Sequence, residues 1–205
     1  MTMTRDESHP QRIRLFRSDR LERLTTITPR AFAATWIVVL ALAVHASWGT
    51  ASLVVLTGSV LAGLLIWTLF EYGMHRFIFH MKLRSEFGKW VIFLTHGNHH
   101  VAPSDSYRNL MPPIVSIAIL GSMWCVFLLL AGPPGSALFL GFAIGYVTYD
   151  AVHYACHQYP MRGPVLGRLR RHHMRHHFGS REGNYAITAI IWDRVFRTEV
   201  PAKRG

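Results

Sequence analysis

The chain has 205 residues, of which 50% are hydrophobic and 16% are charged. A composition this apolar excludes a disordered chain, because disorder requires low hydrophobicity and a high charge content. The net charge of +11, from 22 basic and 11 acidic residues, would suit a nucleic-acid-binding protein, but the placement of those charges argues against one.

Charged residues are missing from two long windows, Ala31–Phe70 and Asn109–Tyr149. A helix needs roughly 20 apolar residues to cross a bilayer, so each window has room for two spans and a tight turn. Gly49-Thr50 and Gly132–Gly135 supply the turns, since glycine and proline break helices. The sequence therefore predicts an all-α integral membrane protein with four transmembrane helices in two hairpins. The spans are expected at approximately 31–48, 51–70, 114–130 and 135–152.

The second and fourth helices are expected to continue past the apolar windows, through Glu71–His80 and Asp150–Tyr159. All Lys and Arg lie outside the two turns, and the positive-inside rule then places both termini and the middle of the chain in the cytosol. This divides the chain into a basic cytosolic tail, 1–30, and a membrane domain, 31–205, with a cytosolic helical cap. The membrane would be the inner membrane of a bacterium or the endoplasmic reticulum of a eukaryote.

Histidine is the most informative residue type, with 13 copies in the chain. Three of them, His9, His45 and His172, stand outside any ligand-spaced group. The other ten form four clusters, all in the expected cytosolic segments 71–108 and 153–205: His75 and His80; His96, His99 and His100; His153 and His157; His173, His176 and His177.

The spacing within the clusters is typical of metal ligands. Residues three and four apart share a face of an α-helix, so each H-x2-H-H triplet and the H-x3-H pair present their imidazoles together. His75 and His80 are five apart, and they require a local distortion or a metal between neighbouring helices. Ten ligands shared between two metals give five each, which leaves a six-coordinate ion one open position for catalysis. A merely basic or pH-sensing surface would not sort its histidines in this way.

Three residues near the clusters are candidates for orienting the ligand rings from outside the metal shell. Glu71 precedes His75 by one turn, Asp150 precedes His153 by three residues, and His172 precedes the last triplet. For the two carboxylates, a charge at the end of a span is an equally good interpretation.

The residues around the clusters resemble a known family. The stretches concerned are Glu71–Lys82, His96–Asp105, Pro112-Pro113, Tyr149–Tyr154, His172–Phe178 and Trp192–Thr198. The four clusters resemble the fatty acid hydroxylase/sterol desaturase superfamily of membrane di-metal oxygenases. The surrounding residues, over approximately 65–200, are most similar to the catalytic domain of fatty acid 2-hydroxylases, which hydroxylate sphingolipid acyl chains.

This resemblance implies an O2-dependent lipid hydroxylase that acts at carbon 2 of a fatty acid or a sphingolipid N-acyl chain. It implies two irons held by the ten clustered histidines, with no catalytic residue beyond these ligands. Zinc could occupy the site of the isolated protein but has no redox chemistry. Candidates for positioning the substrate are Tyr72, Tyr154, Asn184 and Tyr185.

The sequence departs from the fungal and animal members in one respect. Only about 30 residues precede the first expected span, too few for a cytochrome b5 domain, and His9-Pro10 does not match the haem-binding H-P-G-G motif. We therefore expect no haem in this chain and a separate electron donor, such as a cytochrome b5 or a ferredoxin. The basic stretch Arg168–Arg175 fits either an acidic donor or anionic lipid.

Other functions remain open at this stage. A sterol or carotenoid hydroxylase or desaturase of the same superfamily would carry the same clusters. A metal transporter or metal-binding membrane protein is the non-enzymatic alternative. Transport sites usually place ionisable ligands near the bilayer midplane, whereas these spans offer His45 and no acidic residue.

Overall fold

The computed structural model describes residues 13–201 and is entirely helical in its long elements. The expectation about His9 concerns a residue outside this range. Within residues 13–201, four helices are long and apolar enough to cross a membrane: Pro29–Ser47, Leu53–Phe79, Pro113–Ala131 and Gly135–Gln158. The apolar windows of the sequence therefore predicted the number and approximate position of these helices.

The long helices are α2 (Pro29–Ser47), α3 (Leu53–Gly73), α6 (Pro113–Ala131) and α7 (Gly135–Gln158). The shorter helices are α1 (Asp19–Arg23), α4 (Glu86–Ile92), α5 (Asn98–Val101), α8 (Leu166–Phe178) and α9 (Ile191–Val195). A first π-helical segment, Met74–Phe79, extends α3, and a second, Phe93–Gly97, joins α4 to α5.

The ends of the long helices follow from local sequence. Thr28 caps α2 by accepting a hydrogen bond from the Ala31 amide at 3.2 Å, and Pro29 occupies its first turn. Gly132 ends α6 at a φ of +63°, a conformation that favours glycine. The expected continuations past the apolar windows are present, since α7 runs to Gln158 and α3 passes directly into the first π-helical segment.

Helix α7 is the centre of the bundle and packs against α2, α3 and α6. Its contact with α3 depends on glycine, because a Cβ atom at Gly141 would lie 1.9 Å from the carbonyl oxygen of Val60. A Cβ atom at Gly63 would similarly lie 2.0 Å from the carbonyl oxygen of Leu138. The close approach of these two backbones aligns the far ends of α3 and α7, where His75 and His153 lie.

Aromatic side chains fill the space around α7. The Trp36 and Trp67 rings contact the Tyr146 ring, with centroids 4.6 and 5.5 Å away. Phe142 is fully buried and packs edge-on against Trp67. These rings add directional contacts to apolar burial, and they hold the helices in the register that brings the histidine clusters together.

Candidate metal centre

Ten histidines converge on two adjacent points beside the ends of α3 and α7. Each offers one imidazole nitrogen, and the five nitrogens of each cluster lie within 4.8 Å of one another. We call these groups cluster A and cluster B. Cluster A consists of His75, His80, His96, His100 and His176. Cluster B consists of His99, His153, His157, His173 and His177.

The two triplets are divided between the clusters, which the sequence did not indicate. His96 and His100 face cluster A, whereas His99, on the same short stretch of chain, faces cluster B. On α8, His176 faces cluster A while its neighbours at 173 and 177 face cluster B. The triplets do not present three imidazoles to one point, because both helical stretches pass between two sites that lie side by side.

The first π-helical segment explains how His75 and His80 reach the same cluster. A π-helix forms i→i+5 hydrogen bonds, so residues five apart lie close to one face, unlike in an α-helix. The segment Met74–Phe79 provides the distortion that the spacing requires. The rings of His75 and His80 have centroids 5.1 Å apart.

The second π-helical segment, Phe93–Gly97, precedes the first triplet. The Asn98 amide group donates to the carbonyl oxygens of Phe93 and Leu94, at 2.9 and 2.8 Å. The backbone amide of Asn98 also donates to the Phe93 carbonyl, so Asn98 is bonded to this segment through both its side chain and its backbone. Both interruptions of helical geometry thus lie at the histidine clusters, as π-helical turns often do at functional sites.

The distances between facing nitrogens fit a metal coordination shell. In cluster A, the Nε2 atoms of His75 and His96 are 3.1 Å apart, and those of His100 and His96 are 3.0 Å apart. In cluster B, the Nε2 atoms of His153 and His99 are 2.9 Å apart. Neighbouring ligands of an octahedral ion lie about 3.0 Å apart when the metal–nitrogen distance is about 2.1 Å.

Burial keeps these imidazoles in the neutral form that binds metals. It lowers the pKa of His176 to about 3 and that of His100 to about 4, since a buried imidazolium loses its hydration. The pKa values of His96, His99 and His173 are also lowered well below the ordinary value, with burial again the main cause. Protons therefore compete weakly for the metal-binding lone pairs at neutral pH.

A cavity of about 450 Å³ reaches both clusters. His96 of cluster A and His99 and His153 of cluster B lie in its wall. Most of the remaining wall is apolar and includes Met74, Ile78, Phe79, Ile114, Val115 and Ile119. This volume falls within the range of small-molecule binding sites, and the lining suits an aliphatic ligand.

A second cavity, of about 530 Å³, contacts cluster A from another side. Its wall combines four cluster A histidines with charged residues of the surface, including Lys82 and Glu182, which form an ion pair at 2.8 Å. The two cavities differ in polarity, and His96 lies in the wall of both.

Comparison with known proteins identifies the family. Residues 60–198, which include all ten clustered histidines, match the family model described as fatty acid hydroxylase. The chain belongs to the fatty acid hydroxylase family. It is 37% identical over 188 residues to the dihydroceramide fatty acyl 2-hydroxylase FAH1 of Arabidopsis thaliana, covering 90% of this chain and 79% of the relative.

Two further relatives extend the comparison. The ceramide very long chain fatty acid hydroxylase scs7 of Schizosaccharomyces pombe is 42% identical over 146 residues, which cover 68% of this chain and 41% of that protein. Among solved structures, one of a full-length scs7p, in which only the hydroxylase domain is visible, superposes with a TM-score of 0.83 at 29% identity. It covers 90% of this chain and 71% of the solved chain. The family resemblance found in the sequence is therefore confirmed.

In this member of the family, backbone oxygens orient several of the clustered imidazole rings. His75 Nδ1 lies 2.5 Å from the Tyr185 carbonyl oxygen, His176 Nδ1 lies 2.7 Å from that of Gly183, and His153 Nδ1 lies 2.9 Å from that of Asn109. A carbonyl only accepts hydrogen bonds, so each Nδ1 must carry the proton. Each Nε2 lone pair is then free to face the cluster.

Asn109 supports two ligands of cluster B. Besides its carbonyl bond to His153, its side-chain oxygen lies 3.1 Å from Nδ1 of His99. The Asn109 amide nitrogen donates to the Pro103 carbonyl at 3.0 Å, and this bond determines which end of the amide faces the histidine. Sequence reasoning missed Asn109, and its position three residues before Pro112-Pro113 was the available signal.

The hydrogen bonds of Glu71, Asp150 and His172 include bonds with backbone amides and with the Asp193 carboxylate. The Glu71 carboxylate accepts bonds from the backbone amides of Ile187 and Thr188, at 3.1 and 2.9 Å, and so fastens the C-terminal segment to α3. Asp150 accepts the Met111 amide at 2.9 Å, which positions the chain just after Asn109.

His172 pairs with a carboxylate rather than with a ligand ring. Its Nε2 lies 2.9 Å from the fully buried Asp193 carboxylate, which also accepts the Tyr185 and Ala186 amides. The Tyr185 carbonyl in turn receives His75, so Asp193 supports cluster A through the backbone. Sequence reasoning missed Asp193, although it lies within the family-like stretch Trp192–Thr198.

The four candidates for positioning the substrate have different surroundings, and the apolar cavity is lined by other residues. Tyr72 bonds to Thr198 at 3.0 Å, and Asn184 adopts a φ of +56° and holds the Val200 amide at 2.7 Å. Tyr154 packs near the Tyr159 ring. Tyr185 is the candidate beside the clustered histidines, with its ring 5.4 Å from that of His80 and close to two other cluster A rings.

We expect Asn109→Leu to weaken metal binding in cluster B selectively. The substitution removes the acceptor for His99, and comparable losses of supporting hydrogen bonds reduce metal affinity by roughly 10- to 100-fold. Metal titration of the purified variant would measure this, with one site weakened and the other unchanged. Replacing the other buried asparagine, Asn184, would be a poor control, because its side-chain amide holds a turn. Asn109→Ser therefore serves as the milder comparison. Equal weakening of both sites would contradict the assignment of Asn109 to cluster B.

Proposed function

We propose that this protein is a membrane di-iron oxygenase that hydroxylates carbon 2 of a lipid acyl chain, using O2 and electrons from a separate donor. The observation that carries the proposal is the apolar cavity whose wall contains ligands of both clusters. Relatives named as fatty acid and ceramide hydroxylases support the choice of an acyl chain over other apolar substrates.

The donor set is chemically suited to iron. Ten neutral imidazoles with no thiolate among them form two five-nitrogen shells, which would leave each ion a position for O2. When bound, the irons would supply the redox chemistry that activates O2 toward an inert C–H bond. The ligands would be the five histidines of cluster A for one ion and the five of cluster B for the other.

The role of the chain itself is to position the substrate and exclude water. Apolar side chains of the first π-helical segment and of α6 would contact the acyl chain, leaving its carboxyl end near His96, His99 and His153. This arrangement selects carbon 2, the first methylene beside the carbonyl carbon. The Nδ1–H bonds to Tyr185, Gly183 and Asn109 hold the rings fixed and so reduce the reorganisation needed during reaction.

In the proposed arrangement, the four spans form two hairpins in a membrane domain, 31–205, after a basic tail, 1–30. The histidine clusters would then form part of a cytosolic cap, because Lys and Arg are concentrated in the segments that contain them. A lipid could enter the cavity sideways from the cytosolic leaflet, past the exposed side chains of Ile114 and Ile78.

Mass spectrometry of acyl chains from expressing cells tests the proposed function. We expect new 2-hydroxy acyl chains with the wild type in a sphingolipid-containing host, and none with the His99→Ala/His176→Ala double variant at equal membrane expression. Analysis of intact lipids would identify the carrier as free acid, ceramide or phospholipid. Hydroxylated or desaturated sterols or carotenoids, with unchanged acyl chains, would overturn the 2-hydroxylase assignment and favour another branch of the superfamily.

A further inference from the structure

The segment that precedes the first long helix forms one wall of the apolar cavity. Leu15, Phe16, Leu21, Leu24 and Thr25 line the same space as His96, His99 and His153. We call residues Leu15–Thr25, which include helix α1, the strap. Although the strap lies before the first span, its apolar side chains line the space that a substrate would occupy beside the histidine clusters.

Glu22 fastens the strap to the loop that follows α5. One carboxylate oxygen of Glu22 accepts the Leu15 and Phe16 amides, at 3.0 and 2.9 Å, and the other pairs with Arg108. Arg108 also donates to the Thr25 hydroxyl at 2.7 Å, and its side chain is only 5% exposed. A buried guanidinium with this many partners is a strong positional constraint.

Further contacts fix both ends of the strap. Beyond it, the Ile27 amide donates to the Tyr107 carbonyl at 3.0 Å, and the Phe16 ring packs edge-on against Trp90 with centroids 6.2 Å apart. Helix α1 itself has five residues and buries none of them. A helix this short is not stable alone, so the strap owes its position to these tertiary contacts.

We propose that the strap determines which lipid acyl chains this enzyme accepts, with Leu15 and Leu21 in contact with the chain of the bound lipid. The inference rests on the proposed function, and it identifies the part of the cavity wall that determines substrate specificity. Leu15 is 6% exposed and Leu21 is 47% exposed, so Leu15 closes the cavity from within and Leu21 borders both the cavity and its surroundings. The neutralised Glu22–Arg108 pair allows an otherwise apolar wall to be anchored without presenting a free charge to the lipid.

Changing the bulk of this wall is expected to change the length distribution of the products. Leu21→Trp reduces the available space, and we expect the ratio of the longest to the shortest 2-hydroxy acyl chains to fall by about tenfold. One methylene of mismatch in an apolar pocket is worth on the order of tenfold in selectivity. Leu15→Ala enlarges the cavity and should raise the same ratio. A ratio within one sample does not depend on the amount of folded enzyme.

Leu42→Trp is the matched control. Leu42 has a similar exposure of 54% but lies on α2, away from the cavity lining. The Leu42→Trp substitution should therefore leave the product ratio unchanged. The proposal would be overturned if Leu21→Trp and Leu15→Ala both gave the wild-type ratio, or if Leu42→Trp changed the ratio as strongly as Leu21→Trp.

Photo-crosslinking tests the strap without turnover. The probe is a ceramide with a diazirine in its N-acyl chain, added to membranes that contain the full-length protein. We expect crosslinked peptides from Leu15–Thr25, reduced by excess unlabelled ceramide and by Leu21→Trp. Lipid-facing residues of α2 should be labelled equally with or without competitor. Unlabelled strap peptides would overturn the proposal, whereas labelled strap peptides without any hydroxylated product would overturn the proposed function alone.

Discussion

Replacing His176 with Ala is expected to remove one metal, and His173→Ala is expected to remove the other. The two residues are neighbours on α8 but face different clusters, His176 toward cluster A and His173 toward cluster B. Each substitution leaves four imidazoles around the affected ion and opens its shell to water. Loss of either ion should reduce hydroxylation by at least about a thousandfold, because metal-ion catalysis lowers the activation barrier by several kcal/mol.

Metal analysis of the purified variants, combined with their activity, measures this effect. We expect the metal content to fall from two ions per chain to about one in each variant, and to nearly none in the double variant. His45→Ala is the control, because His45 is a lone histidine on α2 and its loss should leave metal content and activity unchanged. A single variant that lost both ions would show that the clusters bind cooperatively, contrary to the division of ligands described above.

The helices were predictable because two properties of a membrane span are visible in sequence. Uninterrupted apolar residues and the exclusion of charge identified α2, α3, α6 and α7, and the observed bounds differ by a few residues. The packing of these helices against one another was harder to predict from the sequence. The central role of α7 depends on close approach at Gly63 and Gly141, whereas Gly58 and Gly73 of α3 have open space around them.

The histidine clusters were visible in the sequence from their spacing, but the division of each triplet between two clusters was not. Spacing reports which residues share a face of one helix, and it contains no information on how many sites that face borders. The orientation of the rings also depends on distant residues, because Asn109 and Asp193 act through bonds that cross long stretches of chain. A buried polar residue of this kind resembles any loop residue in the sequence and becomes distinctive only when its partners are known.

We expect any bound metal to stabilise the fold, whereas only a redox-active metal should support hydroxylation. The facing Nε2 atoms lie 2.8 to 3.1 Å apart, and their lone pairs would repel one another with no cation or proton between them. Chelated protein should therefore unfold at a lower temperature. A ligand at a thousand times its Kd stabilises by about 4 kcal/mol, which corresponds to a shift of roughly 10 °C for a chain of this size.

Reloading the chelated protein with zinc should restore the unfolding temperature but not hydroxylation, whereas iron should restore both. Zinc fills the same nitrogen shell but cannot change oxidation state. The matched control is the His173→Ala/His176→Ala variant, whose unfolding temperature should respond weakly to either metal. Hydroxylation by the zinc-loaded protein at the rate of the iron-loaded form would contradict the redox role assigned to the metals. An unfolding temperature indifferent to chelation in the wild type would instead mean that helix packing, including the glycine contacts of α3 and α7, orders the clusters without help from the ions.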